Sequence, residues 1–241
     1  MRNIIVFAMV LFAINIQESS AQLPGNSLRL LADYNYVSVP DASSALLNNT
    51  MTVEAWVYYE CANGAAGNMI MSKGWCAVPD YSFYFNIVGQ RLRLKKIRNG
   101  TGGCSATGDP IWETNTDVIP FNTWVHVALT IDASSSTTVL TFYVDGTVIP
   151  HTLISGIDGA GFNASPYPLL IGTSRSVSNV YSSITGNLDD VRIWHTIRSQ
   201  AEIQAYKDAE LIGNEAGLYA YWKLNEAGSG PGITAINSAS A

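Results

Sequence analysis

The stretch GNLDDVRIW, residues 186–194, decides the fold. Leu188, Val191, Ile193 and Trp194 are strand-favouring or apolar, so the stretch reads as a strand. Two carboxylates, Asp189 and Asp190, interrupt the strand side by side, although Asp is depleted in strands. Neighbouring residues of a strand point to opposite faces, so the pair is expected to split, with one carboxylate directed inward. A buried carboxylate is costly unless it is paired or binds a cation.

Working outward, the same strand character recurs along the chain. SLRLLA, YVSV, MTVEAWVYY, NMIMSK, YSFYFNIV, RLRLKKIR, TWVHVALTI, TVLTFYV, GTVI, PLLIG and GLYAYWKL all read as strands separated by turns. VDGT at 144–147 is a strong hairpin signal, and Gly89-Gln90 joins two strands tightly enough that paired positions should sum to 179 or 180. The clear helix signal is SQAEIQAYKDAEL, 199–211, where Ser199 and Glu202 form a capping box and Gly213 can end the helix. Many strands and one helix predict an all-β antiparallel sandwich, a jelly roll with one short helix near the C-terminal end.

The chain opens with Arg2 and an apolar run from Ile4 to Ile16, followed by the small residues Ser19, Ser20 and Ala21. This pattern predicts a secretory signal peptide over 1–21, and hence a secreted or cell-surface protein. The remainder, 22–241, is expected to form one domain. Residues 22–26 read as a linker, about 27–230 as its core, and 231–241 as the start of a linker or next module. No later segment is long and apolar enough to span a membrane. A net charge of -6 with 13% charged residues argues against nucleic acid as partner.

Export allows a disulfide. Cys76 and Cys104 sum to 180, which places them just beyond the open ends of the 81–98 hairpin and makes them the expected pair. The alternatives, no bridge or a bridge to Cys61, stay open, and no zinc spacing occurs.

The ordered series LRLLADYNYVSVP, MTVEAWVYY, IMSKGW, FNTWVHVALTIDASSSTTVLTFYVDGTVI, PLLIGTS, GNLDDVRIWHTIRSQAEIQAY and GLYAYWKLNEAGSG resembles the laminin-G-like, concanavalin A-like jelly-roll domains. The resemblance implies two packed antiparallel sheets, with a calcium ion at one rim. It implies Asp189 as a calcium ligand, with further oxygens from the Asp33-Tyr34-Asn35 turn, so that Asp33, Asn35 and Asp189 form the expected metal set. Calcium takes six to eight hard oxygens, which carboxylates and loop carbonyls can supply. The chain departs from the family pattern before YVSV, where relatives carry a glycine and paired acids and this chain has Ala32, Asp33, Tyr34 and Asn35.

The same sandwich also hosts glycoside hydrolases, whose two carboxyl groups stand roughly 5 Å apart, or wider for inversion. No E-x-D-x-E pattern is present. Glu54 and Glu60 share a strand but lie about 20 Å apart. His126 reads as a hydrogen-bonded structural histidine, His151 and His195 sit near strand ends, and no G-x-S-x-G elbow occurs. A non-enzymatic role is therefore expected.

Binding residues are sought beside polar loops. Trp56, Trp124, Trp194 and Trp222 fall within core strands, whereas Trp75 and Trp112 flank glycine-bearing loops. With Asp80 they are the expected sugar platform, since a ring stacks on a pyranose and nearby acids bind its hydroxyls. Arg91, Arg93 and Lys95 share one strand face; they read either as a solvated face guarding an edge or as a patch for an anionic glycan. The sequence thus points to a secreted calcium-binding module that recognises carbohydrate or a glycoconjugate through rim loops. The alternatives are an adhesive subunit making protein contacts or assembling with itself, and, more remotely, a polysaccharide-cleaving enzyme.

Overall fold

The structure, a computed structural model, describes residues 26–30, 35–40, 46–61, 68–74, 83–96, 108–162, 164–175, 180–181, 183–226 and 234–240. Its strands are β1 (Leu28–Leu30), β2 (Val37–Val39), β3 (Thr50–Tyr59), β4 (Asn68–Lys73), β5 (Phe83–Val88), β6 (Arg91–Lys96), β7 (Ile111–Thr114) and β8 (Trp124–Asp132). They continue with β9 (Val139–Val144), β10 (Thr147–Ile149), β11 (His151–Ser155), β12 (Leu169–Ile171), β13 (Ser174–Arg175), β14 (Val180–Tyr181), β15 (Gly186–Trp194) and β16 (Leu218–Trp222). The helix is α1 (Gln200–Tyr206).

Two antiparallel sheets form the expected sandwich. The first runs β1-β15-β3-β8-β9-β10, with β16 also on β15, and the second runs β11-β7-β6-β5-β4-β12-β2. Period-2 alternation explains the layer between them. Met51, Val53, Ala55, Val57 and Tyr59 of β3 point into it from one side; Phe83, Phe85, Ile87, Leu92 and Leu94 point into it from the other. The opposite face of β3 is also buried, because α1 and the chain that follows it lie across the first sheet. Thr52, Glu54 and Trp56 are all under 4% exposed, and a second apolar cluster of Trp194, Leu211, Leu218 and Tyr221 forms there.

The hairpin register follows the tight-turn rule: Val88 faces Arg91, Tyr84 faces Lys95 and Phe83 faces Lys96, each pair summing to 179. At 144–147, Asp145 and Gly146 take φ of 49° and 74°, the left-handed pair that a two-residue hairpin turn requires. β7 and β11 were not anticipated; each is short, and β11 is an exposed edge strand.

The helix begins where the capping box places it: Ser199 accepts from the Glu202 amide, and Glu202 accepts from that of Ser199. It ends at Tyr206 rather than near Leu211, and Gly213 plays no part in stopping it. Arg192 explains the early stop. Its buried guanidinium takes the carbonyls of Tyr206 and Ala209, and the Trp56 indole takes that of Lys207. A continued helix would use those acceptors itself.

Lys73 faces Phe83, Phe83 faces Lys96, and Lys95 faces Ile111. The described ends of β4, β5, β6 and β7, at Lys73, Phe83, Lys96 and Ile111, therefore lie at one rim of the second sheet. Among the described residues no helix is long and apolar enough to cross a membrane.

Candidate functional site

The two acids of the opening stretch do not split. Asp189 faces Trp56 and Arg192 faces Glu54, so three steps of β15 run against two of β3. The extra residue is a bulge, and Asp190 sits in it with φ 47°. Leu188, Val191 and Ile193 keep to the core, while both acids turn to the helix-covered face. Asp190 accepts from the Tyr221 hydroxyl and lies 3.5 Å from Arg192. Asp189 takes the Asp190 amide at 3.0 Å. Burial, and then the neighbouring Asp190 charge, push the Asp189 carboxyl up to about 8. Burial also raises Asp190, against the pull of Arg192 and the Tyr221 hydroxyl.

Beside them lies a buried charge network. Glu54 Oε2 stands 3.6 Å from both His126 Nε2 and Arg192, and Glu54 Oε1 stands 4.0 Å from Arg198. Burial alone would raise the Glu54 carboxyl; His126, Arg192 and Arg198 together bring it below its ordinary value. His126 is buried, but the hydrogen bond expected of it is absent among the described residues; its Nε2 stands 3.6 Å from the Glu54 carboxylate. Neither of its nitrogens has a hydrogen-bond partner among the described residues. Arg198 lies 3.8 Å over the Trp194 ring. α1 and the chain that follows it cover most of this face, leaving Asp189 3% exposed and the Asp190 side chain 20% exposed.

Of the expected calcium set, Asp33 lies outside the described residues. Asn35 is exposed and leads into β2 of the second sheet, whereas Asp189 is on the face of the first sheet turned away from the second. The structure does not bring these two together. Among the described residues no three His, Cys, Asp or Glu side chains could hold a metal ion.

The second sheet presents its outer face differently. Tyr84 and Asn86 of β5, Arg91, Arg93 and Lys95 of β6, and Glu113 of β7 alternate with core residues and point outward. Asn86 faces Arg93, and Arg93 faces Glu113, which makes one polar row across three strands. Arg91, Arg93 and Lys95 share one face of β6, and carboxylates stand beside all three. Arg93 donates to Glu113 at 2.9 Å, Arg91 donates to Asp117 at 3.0 Å, and Lys95 lies 3.2 Å from Asp109. Each cation meets a carboxylate, so the row is charge-balanced. Nor does the lysine guard an edge, since β6 lies between β5 and β7. Lys96 is buried outright, donating to Thr138 at 2.6 Å and pairing with Asp158 at 2.8 Å.

Trp112 also differs from expectation. Its ring is only 6% exposed and belongs to the main core, because it sits on β7 opposite Leu94 and points inward with it. Its neighbouring loop is polar, but strand alternation rather than sequence distance decides where the ring goes. Trp75, Asp80 and the Cys76–Cys104 pair lie outside the described residues. Cys61 is exposed just past β3. Tyr84, Asn86 and Glu113 were missed from sequence. The hairpin register already put the first two beside Arg93 and Lys95, but Glu113 required recognition of the four-residue β7.

The order of strands and the helix-covered first sheet agree with a match between residues 31–204 and the laminin-G type family model of the concanavalin A-like lectin/glucanases superfamily. The chain belongs to that superfamily. No curated protein matches the chain. Among solved structures, a candidate carbohydrate binding protein from Bacteroides ovatus is similar at TM-score 0.61 and 18% identity. The match covers 88% of this chain, which spans 56% of that protein's length. The CBM40 of the Ruminococcus gnavus IT-sialidase, solved with α2,3 sialyllactose, is similar at TM-score 0.56 and 11% identity, over 77% of this chain and 98% of that one. At these identities the likeness is one of fold.

Proposed function

We propose that this superfamily member is an exported, non-catalytic carbohydrate-binding module. The observation that carries the reading is the outward-turned polar row of the second sheet, where Asn86, Arg93 and Glu113 lie side by side, partly covered, with Tyr84 beside them. Pyranoses are bound by such combinations, an aromatic for the apolar ring face and planar polar groups for the hydroxyls. Trp75 and Asp80 lie outside the described residues and stay in the proposal on the sequence reading alone. The candidate carbohydrate binding protein and the sialyllactose-bound CBM40 share the fold and support the same reading.

The carboxylates argue for binding over cleavage. Glycoside hydrolysis needs two carboxyl groups facing one scissile bond. Glu113 is engaged by Arg91 and Arg93, and Asp189, Asp190 and Glu54 lie beneath α1. The test is a glycan array on residues 22–241, followed by incubation of every bound glycan with the protein. Retention without chain shortening is expected; released oligosaccharide would replace the reading with an enzymatic one. Binding to no glycan would favour the adhesive, protein-binding reading.

Calcium is a separate proposal. An ion at Asp189 would need further oxygens from carbonyls or other side chains, and no step of glycan binding depends on it. Thermal unfolding in calcium and in chelator tests it. A rise in Tm with calcium that Asp189→Asn abolishes supports the ion; equal midpoints remove it.

A further inference from the structure

The charge balance of the open face carries the proposed function one step further, to the class of glycan. We propose that the ligand of the second sheet's outer face is a neutral oligosaccharide, held at the Arg93–Glu113 pair through adjacent hydroxyls. This rests on the carbohydrate reading above.

Three cations stand on the outer face of β6 and three carboxylates answer them: Arg91 with Asp117, Arg93 with Glu113, and Lys95 with Asp109. Arg91 also reaches Glu113 at 3.7 Å. An incoming sulfate or carboxylate would find no unmatched positive charge in this row. It would have to displace an intramolecular carboxylate that already makes charge-assisted hydrogen bonds, and it would meet the repulsion of that carboxylate. A neutral sugar meets neither obstacle. Each hydroxyl both donates and accepts. The pair offers guanidinium N–H donors and a carboxylate acceptor side by side, held still by one another, so a vicinal diol can give to Glu113 and take from Arg93 at once.

The surroundings suit that ligand. Arg93 and Glu113 side chains keep 24% and 12% of their surface, so the pair lines a floor rather than waving in solvent. Asn86, directly across from Arg93, is 4% exposed, and its amide oxygen has no hydrogen-bond partner among the described residues. Tyr84 is half-buried two residues away on the same face, an aromatic surface for the apolar side of a pyranose ring. A pre-paired floor also lowers the ordering cost of binding.

The experiment compares neutral oligosaccharides with sulfated, uronate-bearing and sialylated ones on the mature chain, at low and high sodium chloride. Neutral glycans are expected to bind, with affinity nearly independent of salt, because no net charge is neutralised. Glu113→Gln is expected to weaken neutral-glycan binding about tenfold or more and to raise retention of anionic glycans, since it leaves Arg91 and Arg93 under-matched. Tyr84→Ala, which leaves the ion pairs intact, is expected to weaken binding while keeping the thermal midpoint. Preference of the wild type for anionic glycans, with strong salt dependence, would overturn the inference and leave the carbohydrate reading standing. So would neutral binding unchanged in both variants, which would assign recognition to the rim loops. Absence of any glycan binding would overturn both together.

Discussion

Asp189 and Asp190, neighbours in one strand, stand on the same side of the first sheet, because the bulge at Asp190 cancels one step of alternation. Two acids on one covered face repel, and burial already disfavours either charge. Asp189 carries the consequence, with its carboxyl pushed up to about 8. A group whose folded pKa exceeds its unfolded value binds more protons in the folded state, so stability falls as pH rises between the two. For Asp189 that window runs from the ordinary carboxylate value near 3.8 up to about 8. Asp189→Asn keeps an acceptor for the Asp190 amide and cannot ionise. It is expected to melt above the wild type at pH 8 and level with it near pH 4, in thermal scans across that range without calcium. A variant that melts lower at pH 8 would mean that the ionised form is the stabilised one.

Glu54 works in the opposite sense. Its carboxyl is held below the ordinary value by His126, Arg192 and Arg198, against its own burial. Its contribution is present at neutral pH and is lost as pH falls through the folded pKa. Removing it leaves Arg192 and Arg198 buried without that counter-charge. Glu54→Leu is expected to cost about 3–5 kcal/mol, and Glu54→Leu with Arg192→Leu less than the sum of the single changes. Urea unfolding of the four proteins gives the cycle; strict additivity would show that the 3.6 Å separation carries no coupling.

How much of this could be read beforehand depended on whether local chemistry or tertiary context decided it. The 83–96 hairpin was legible because a two-residue turn fixes register, and the start of α1 was legible because a capping box is local. The end of α1 was not, since it depends on Arg192 reaching Tyr206 and Ala209 from another strand. The basic stripe RLRLKKIR showed which residues share a face. It did not show Glu113, Asp117 and Asp109 arriving from the next strand and its flanks, and those carboxylates balance the charge of the face. The bulge at Asp190 had no signal beyond the doubled acid itself.

At Gly186, β15 comes close to the backbone of β3. Its φ is 147°, and a Cβ there would lie 1.9 Å from the Tyr58 carbonyl oxygen. Backbone cannot yield as a flexible side chain can, so β15 must move away from β3 at this end. Gly186→Ala is expected to destabilise by about 2–4 kcal/mol. Amide exchange should quicken first at Glu60, which donates to Thr185 at 3.0 Å, and at the β1 residues paired with this stretch. Unaltered exchange there would show that the strands tolerate the methyl group in place.

Trp112 separates packing from recognition. Its ring is part of the core, opposite Leu94, with the Lys96 ammonium 5.9 Å from its centre. Trp112→Ala leaves a cavity between the sheets and is expected to cost about 3–5 kcal/mol. Trp112→Phe fills most of that volume and should cost less. Neither removes a group from the open face, so glycan affinity per folded molecule is expected to stay at the wild-type value in both. Titration below the melting range of each variant, with the folded fraction measured in parallel, makes the comparison. A tenfold loss of affinity in the well-folded Trp112→Phe protein would place the indole in contact with the sugar, and the alternation that turns it inward along β7 would then be wrong.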